Sequence, residues 1–382
     1  MHVAFYAPLK PPDHPVPSGD RRVARLLMEA LSRGGHRVTL ASRFRSRDAA
    51  GDPERQRRLA ALGDRLAARL VRRYRHDPTA SPDIWLTYHL YYKAPDWIGP
   101  RIAAALGIPY VVAEASVAGK RLDGPWAEGE RATRIALKRA AAVIGLSSAD
   151  RAGVLPVLAD PARWMTLAPF LDRVPFDAAV AQRGASRAGL AAALALDPDQ
   201  PWLIALAMMR DDVKLRSYQL LGRALAALGG RRFALLVAGD GPARGQVEAV
   251  LQSLGSRVRF LGAVDEQRVP GVLAASDLYL WPALGEAYGM AMLEAQAAGL
   301  PVIAGASGGV GDIVAHGATG LLVPAGDVPS FASAVRELLD DPRRRQGFAA
   351  AARRKVAAEH DLEAASRRLD AVVSALAPAA VP

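Results

Sequence analysis

The chain contains no cysteine, so disulfides, thiolate metal ligands and a cysteine nucleophile are excluded. It also lacks an apolar run of about 18 residues, the length that a membrane-spanning helix requires. The first residues, MHVAFYAPLKPP, have neither a basic start nor a long apolar segment. They predict a first strand rather than a signal peptide. Together these absences favour a protein of the reducing cytoplasm.

The charge is basic, and it is unevenly distributed. The 382 residues carry a formal net charge of +11, and the segment 43–75 alone has eleven arginines against four acids. Such a balance suggests anionic partners: a nucleotide sugar, an acidic membrane surface or nucleic acid. No zinc-finger, Walker-type or aromatic RNA-binding pattern accompanies the arginines. We therefore expect no nucleic-acid partner.

The beginning of the chain has the pattern of an α/β fold. A short apolar segment at 2–7 is followed by a proline-rich loop ending at Gly19, a helix with one apolar face at 22–33, and a strand at 36–40. We expect a loose stretch, rich in alanine, arginine and glycine, at 181–199, and a second series of short strands and helices starts near 201. The length suits two domains. An NAD oxidoreductase would show G-x-G-x-x-G after the first strand, whereas this loop has only Gly19 at that place.

The segment 276–312 carries the strongest functional signal. The apolar run 278–281 closed by a proline predicts a buried strand, 289–298 predicts a helix, and 301–304 predicts a second strand before a glycine-rich loop. Glu286 lies in the loop before the helix and Glu294 lies eight positions later, within it. The carboxyl ends of parallel strands are where ligands bind, and the amides of the helix N-terminus suit an anion. Glu286 could instead simply interact favourably with the helix dipole, and Glu294 could be an ordinary solvated residue of the helix.

Around these glutamates the motif is extensive. In order, the segment reads S-D, then P, E-A-Y-G, L-E-A, A-G-L-P-V-I-A and G-G. It resembles the E-x7-E donor motif of the retaining GT-B glycosyltransferases of family 4, with two departures: Ala287 stands for the usual glycine and Asp312 for a frequent glutamate. The resemblance is strong from residue 200 onward and looser before it.

The resemblance implies a GT-B architecture of class α/β, with two Rossmann-like domains that face each other across a cleft. The expected domains are 1–172 for the acceptor, 173–361 for the nucleotide sugar, and a helix in 362–382 that crosses back to the first. The implied reaction is transfer of a sugar, with retention, from a nucleotide-diphospho-sugar to a glycan, lipid-linked or small-molecule acceptor. The family usually needs no metal, and we expect no cofactor.

The resemblance also implies site residues. Glu286 would contact the donor sugar, while Arg210 and Lys214, after the strand at 201–209, would neutralise the diphosphate. Glu294 would hold the ribose, and Gly19 and Gly239 would approach the donor. The amides at 288–290 would face the phosphate. The full predicted donor-binding set is Gly19, Gly239, Ala287, Tyr288, Gly289, Met290 and Glu294.

A second group of polar and aromatic residues follows the first domain's strands. We predict that these residues bind the acceptor, because they end neighbouring strands: His89, Tyr91, Tyr92, Lys93 and Glu114, with Lys120 beside them. Family members often have a histidine where Glu114 stands. We therefore do not assign the role of that family histidine to Glu114. His89 could bind the acceptor or could have a purely structural role. The aromatics could stack on a sugar or simply pack.

Residues 53–75 predict an amphipathic helix with a stripe of leucines and many arginines. It would pack on the first domain, and its basic face could also contact an anionic membrane. Three alternatives to a transferase stay open: an acid–base hydrolase, a sugar-nucleotide epimerase of the same fold, and a non-catalytic sugar-nucleotide-binding protein. A hydrolase would need two carboxylates on one bond, for which Glu286 and Glu294 are poorly spaced.

Overall fold

A computed structural model of the chain describes residues 1–16, 18–287 and 289–376. The chain forms two compact α/β units. The first contains Met1–Ala168 and is rejoined by the chain from Leu362 onward, and the second contains Pro169–Asp361.

The first unit is built on a six-stranded parallel sheet in the order β2-β1-β3-β4-β5-β6. Its central strands are almost entirely buried, as expected for a sheet covered by helices on both faces. The strands are β1 His2–Tyr6, β2 Arg37–Ser42, β3 Ile84–Leu90, β4 Tyr110–Ala115, β5 Ala142–Gly145 and β6 Trp164–Thr166. The helices are α1 Gly19–Arg33, α2 Pro53–His76, α3 Gly99–Leu106, α4 Ala127–Arg139 and α5 Ser148–Val154.

The basic helix α2 packs on the first unit through small and polar residues. Its buried residues are Gln56, Gly63, Ala67 and Tyr74, and a Cβ on Gly63 would lie 2.4 Å from the Cβ of Trp97. The predicted leucine stripe lies beside this seam: Leu66 and Leu70 are partly buried, whereas Leu62 is 37% exposed. The predicted helix is confirmed, but its buried face is the one on which Gly63 lies against Trp97, not the one that carries the leucines.

The second unit has its own six-stranded parallel sheet, in the order β12-β11-β10-β7-β8-β9. Its strands are β7 Trp202–Leu206, β8 Ala234–Ala238, β9 Val258–Gly262, β10 Leu278–Trp281, β11 Val302–Ala306 and β12 Gly320–Pro324. Its helices are α6 Val174–Ala181, α7 Arg183–Leu194, α8 Val213–Ala226, α9 Arg244–Leu251, α10 Val269–Ala275, α11 Met290–Ala297, α12 Val310–Ile313, α13 Val328–Asp340 and α14 Pro342–Glu359. The last helix of the chain, α15 Leu362–Ala375, belongs to the first unit and packs there on α1.

The region 181–199, predicted to be loose, is largely helical. Helix α7 has no fully buried residue. Its alanine-rich sequence therefore lacks the periodic apolar face by which a helix is predicted. Two arginines anchor it instead. Arg183 and Arg187 form ion pairs with the two carboxylate oxygens of Asp277, at 2.7 and 3.0 Å, and Arg187 also lies 4.2 Å from the ring centroid of Trp202.

Each sheet has one position where the strand order changes direction. In the first sheet it lies between β1 and β3, and in the second between β7 and β10. Loops that leave the carboxyl ends of these two strands diverge to opposite sides and form a crevice. The topology therefore predicts one binding crevice per unit. Within the described residues, no helix is long and apolar enough to cross a membrane.

Candidate functional sites

In the second unit, the sequence motif lies at the carboxyl edge of neighbouring strands. The loops after β7, β8, β10 and β11 carry, respectively, Arg210, Gly239, Glu286 and Gly308, and Lys214 lies in the first turn of α8, directly after the first of these loops. Residues separated by more than 90 positions in sequence thus belong to one edge of one sheet. This is the edge at which ligands bind in open parallel sheets.

Lys214 and Glu286 form an ion pair between their Nζ and Oε1 atoms, across the change in strand order. Only 18% of the lysine side chain and 15% of the glutamate side chain are exposed. The indole N–H of Trp281 donates to the same carboxylate oxygen at 3.0 Å, and the lysine ammonium lies 5.2 Å from the Trp281 ring centroid. Because Trp281 ends β10 and Lys214 lies in the first turn of α8, two regular elements fix the position of a carboxylate that lies on a loop.

The backbone around Glu286 is held by the glycine loop after β11. Gly308 has φ +51°, and a Cβ there would lie 2.0 Å from the carbonyl oxygen of Glu286. The amide of Gly309 donates to the carbonyl of Ala287 at 2.5 Å, and the Ser307 hydroxyl donates to the carbonyl of Ala283. The glycine loop therefore supports the 283–287 loop by direct backbone contact that no larger residue would allow.

The second motif glutamate has a different environment. Glu294 lies in α11 and is 5% exposed, and helix α11 begins at Met290 after Gly289, which has φ +79° and no capping side chain. Burial raises the pKa of the Tyr279 phenol well above its usual value, and the charges of Glu286 and Glu294 act in the same direction. Both carboxylates thus lie near one buried phenol, whose hydroxyl donates to the carbonyl of Leu206.

The other predicted donor residues are placed as follows. Arg210 is exposed and pairs with Asp212 at 3.0 Å, so it is not joined to the Lys214–Glu286 pair. Gly239 has φ +141° and a Cβ there would lie 1.9 Å from the carbonyl oxygen of Ala207, which gives this glycine a packing role. Ala287 is exposed, and Tyr288 lies outside the described residues.

In the first unit, His89 lies at the corresponding change in strand order. It ends β3, and its Nδ1 is 3.0 Å from Oδ1 of Asp20, in the first turn of α1. Glu114, near the end of β4, places Oε1 3.8 Å from the same nitrogen. His89 and Glu114 both have left-handed backbones, with φ +60° and +59°. Such strain in non-glycine residues clusters at functional sites.

The charges in this cluster shift one another. Burial alone would lower the pKa of His89, but the carboxylates of Glu114 and Asp20 outweigh it and raise the pKa to about 9. Burial and the nearby charge of Glu114 raise the pKa of Asp150 to about 6. Burial acts to raise the pKa of Asp20, yet the hydrogen bond with His89 lowers it overall. At neutral pH the histidine is therefore a cation among carboxylates.

The predicted aromatics continue from this cluster in a series of ring contacts. The ring centroids are 5.0 Å apart for His89 and Tyr91, and 5.6 Å apart for Tyr91 and Tyr92. The Nζ of Lys93 lies 5.8 Å from the Tyr92 centroid, while Lys120 is exposed. Gly19 begins α1 after the capping Ser18, and no atom lies within 4 Å of where its Cβ would be.

Sequence reasoning missed Asp20, Asp150 and Trp281. The aspartates each lie in the first turn of a helix after a serine cap, where an acid is ordinary, so nothing separated them from dipole-stabilising residues. Trp281 was taken only as part of a buried strand. Its position five residues before Glu286 was the one available signal.

The family model described as glycosyl transferases group 1 matches residues 200–341. A D-inositol 3-phosphate glycosyltransferase of Rhodococcus erythropolis is 31% identical over 338 residues, which cover 83% of this chain and 74% of that protein. The chain belongs to the group 1 glycosyl transferases.

Other relatives match shorter parts. A GDP-mannose-dependent monoacylated alpha-(1-6)-phosphatidylinositol monomannoside mannosyltransferase of Corynebacterium glutamicum is 39% identical over 142 residues, which cover 35% of this chain and 37% of that protein. An alpha-D-kanosaminyltransferase of Streptomyces kanamyceticus is 30% identical, over 64% of this chain and 61% of that protein. These matches thus span less than two thirds of the relatives' own lengths.

Solved structures place this group 1 member in the GT-B fold. HepE of Anabaena, solved in complex with UDP, superposes with a TM-score of 0.75 and 16% identity, covering 98% of this chain and all of that one. Sucrose-phosphate synthase of Thermosynechococcus elongatus gives 0.73 and 21%, covering 98% and 99%. The predicted α/β class with two Rossmann-like sheets is confirmed. In the part of this group 1 chain that the structure describes, no group of three or more metal-binding side chains occurs.

Proposed function

We propose that the protein is a retaining glycosyltransferase that moves a sugar from a nucleotide-diphospho-sugar to a glycan, lipid-linked or small-molecule acceptor. The observation that carries this proposal is the Lys214–Glu286 pair. It joins the first turn of α8, which follows β7, to the loop after β10, where the strand order of the second sheet changes. One cation and one carboxylate, each mostly buried, suit a ligand that presents a phosphate beside a polyol.

The proposed roles follow from charge. Loss of the nucleotide leaves negative charge on a phosphate, and a preorganised cation stabilises that charge as it develops. Lys214 supplies this cation, and Arg210, now paired with the exposed Asp212, supplies a second when it turns to the phosphate. Glu286 accepts hydrogen bonds from the sugar hydroxyls, and Glu294 accepts them from the ribose. The amides at the start of α11 add donors to the phosphate. We propose that no metal takes part.

We further propose that the first unit binds the acceptor, through His89, Tyr91, Tyr92, Lys93 and Glu114. The strained backbone at His89 and Glu114 and the ring series that leads away from them support this assignment. A sugar ring can pack on aromatic faces while its hydroxyls bind carboxylates. The acceptors of the relatives include an inositol phosphate and a lipid-linked monomannoside, as their names state.

The first experiment determines which nucleotide base the donor carries. One structural neighbour was solved with UDP, and one relative is described as GDP-mannose-dependent. Thermal unfolding should be followed with UDP, GDP, ADP and their common sugar conjugates. A ligand at about 100 times its dissociation constant adds roughly 2.7 kcal/mol to the free energy of unfolding.

The matched control is Glu294→Ala in the same panel. We expect one nucleotide to raise the melting temperature of the wild type and not that of the variant. Incubation of that donor with acceptor candidates, followed by anomeric analysis of the product, then tests retention. A product with inverted configuration would contradict the retaining mechanism, and a shift identical in the two proteins would contradict the role of Glu294.

A further inference from the structure

Two cations in the first unit share one pair of aromatic rings. The guanidinium carbon of Arg121 lies 4.9 Å from the Trp126 centroid and 5.6 Å from the Tyr92 centroid. The Nζ of Lys93 lies 5.1 and 5.8 Å from the same two centroids. The two positive groups are therefore no more than about 10 Å apart, since each lies within about 5 Å of one ring centre. The rings themselves meet edge to face, with centroids 5.8 Å apart.

The rings are held by the surrounding backbone. The Trp126 indole N–H donates to the carbonyl of Asp48 at 3.2 Å, and the Asp48 amide donates to the carbonyl of Lys93 at 2.8 Å. Gly51, at φ +77°, lets the chain approach Trp126 so closely that a Cβ there would lie 2.9 Å from the ring. Gly129 likewise leaves no room for a side chain, since a Cβ would lie 2.1 Å from the carbonyl oxygen of Tyr92. The ring pair is thus a preformed platform.

Two buried acids near the platform are already occupied. The buried carboxylate of Asp48 accepts from the amides of Ala50 and Asp52 and from the side chain of Gln56. Buried Glu130 pairs with Arg134 at 2.8 Å. Within residues 1–16, 18–287 and 289–376, neither Lys93 nor Arg121 makes an ion pair with an acid, and the buried Nε of Arg121 has no hydrogen-bond partner. A buried guanidinium nitrogen without an acceptor is costly. The two unneutralised cations, no more than about 10 Å apart, also repel each other.

We propose that Arg121 and Lys93, on the Tyr92–Trp126 platform, bind a phosphate group of the acceptor. A phosphate dianion matches two cations in charge, and its oxygens supply the acceptor that the Arg121 guanidinium lacks. The ring series Tyr92–Tyr91–His89 runs from this phosphate subsite to the carboxylates around His89. A sugar bound between the subsite and those carboxylates would therefore contact aromatic faces. This inference rests on the proposed role of the first unit as the acceptor site.

The test compares glucose 6-phosphate with glucose, its uncharged match, by isothermal titration with UDP and GDP present to fill the donor site. We expect the wild type to bind the phosphate ester at least tenfold more tightly than glucose. Arg121→Gln and Lys93→Gln should each lose that preference, whereas Arg121→Lys should keep part of it. Arg131→Gln is the control, because Arg131 is an exposed arginine of α4 whose Nε donates to the carbonyl of Ala127.

A parallel measurement with vesicles of phosphatidylglycerol and phosphatidylcholine distinguishes a lipid phosphate from a soluble one. Binding of phosphatidylglycerol vesicles that depends on Arg121 but not on Arg131, with no effect of glucose 6-phosphate, would support a lipid-linked phosphate. Equal behaviour of Arg121→Gln and wild type toward both probes, or no binding of either probe by the wild type, would overturn the subsite. Nucleotide-induced stabilisation is measured on the same samples. Its survival in that case would leave the proposed function standing.

Discussion

Lys214 and Glu286 meet across the change in strand order of the second sheet, although 72 positions separate them in sequence. In the first unit, Asp20 and His89 meet at the corresponding place, between the first turn of α1, which follows β1, and the end of β3. Each sheet therefore carries a pair of opposite charges where a parallel sheet binds its ligands. The two pairs differ in chemistry. The Lys214–Glu286 pair offers a lysine ammonium for phosphate, whereas the Asp20–His89 pair offers a histidine whose charge depends on pH.

Removing either partner of the Lys214–Glu286 pair should abolish most of the transfer activity. We expect Glu286→Gln and Lys214→Gln to lower turnover by about 100-fold or more, the usual effect of losing one group that stabilises developing charge. Glutamine keeps the size of the glutamate and can still accept from the Trp281 N–H, so the fold should persist. Steady-state kinetics, with the donor that the thermal-unfolding panel identifies, measure the effect. Asp212→Asn, which alters a neighbouring exposed acid, should retain activity within a few-fold, and full activity in Glu286→Gln would refute the donor-site assignment.

Gly308→Ala should disturb the Glu286 loop without a change in any charged group. The new Cβ would lie 2.0 Å from the carbonyl oxygen of Glu286, and the residue has a left-handed φ of +51°. We expect destabilisation of about 1–3 kcal/mol and a clear loss of nucleotide-induced stabilisation. Gly311→Ala is the matched control: it lies in the adjacent short helix, where no atom lies within 4 Å of the position of a Cβ. Equal melting and nucleotide binding in the two variants would contradict the supporting role of Gly308.

Much of the second unit could be predicted from sequence because its strands are short apolar runs bounded by glycine and proline. The predicted strand at 278–281 coincides with β10, and the predicted helix at 289–298 contains α11. Helix α7 was missed because its contacts are arginine side chains that reach Asp277, and such anchoring leaves no hydrophobic period. Local pattern detects burial of apolar faces, not ion pairs to a distant loop.

The candidate sites show the same limit. The strand-end position indicated a ligand-binding loop for Glu286, and the family resemblance implied a donor role for Lys214. Neither showed that the two side chains pair directly, with the Trp281 indole N–H on the same carboxylate oxygen. The left-handed conformations of His89 and Glu114 are equally invisible in sequence, because only a few per cent of non-glycine residues adopt them and even histidine, which is enriched among these, does so uncommonly. They arise where β3 and β4 pair as neighbours, a relation that only the tertiary structure supplies.

The stability of the protein should fall as the pH rises through the titration of His89. Its folded-state pKa of about 9 lies above the ordinary value of 6.5, so the folded state binds more protons between these values. The stabilisation is complete below pH 6.5 and is lost as the pH passes about 9. One unit of pKa difference corresponds to about 1.4 kcal/mol. With partial solvent screening, we expect a loss of about 1–3 kcal/mol, measured by urea unfolding across this range.

His89→Gln is the variant that separates this effect from other titrations. Asp20, whose pKa is lowered, and Asp150, whose pKa is raised to about 6, both titrate below the window. The variant should therefore unfold with a nearly flat dependence on pH between 6.5 and 9. If wild type and variant lost stability in parallel over that interval, the carboxylates would not be holding a proton on His89.

The basic face of α2 should bind anionic membranes. All eight arginines of this helix are exposed, whereas its buried face is made of Gln56, Gly63, Ala67 and Tyr74. Each basic residue near an anionic surface contributes about 1 kcal/mol. Replacement of Arg57, Arg58, Arg65 and Arg69 by glutamine should therefore weaken binding to phosphatidylglycerol vesicles by about 100-fold or more at low salt. Vesicle co-sedimentation measures the change.

The control for this variant must remove the same charge elsewhere. Arg343, Arg354, Arg367 and Arg368 are exposed arginines of α14 and α15, so their replacement by glutamine lowers the net charge equally. If binding depends on α2, this second variant should sediment with vesicles nearly as well as the wild type. If both variants lost binding to the same extent, the attraction would come from net charge alone, and the helix would have only its packing role.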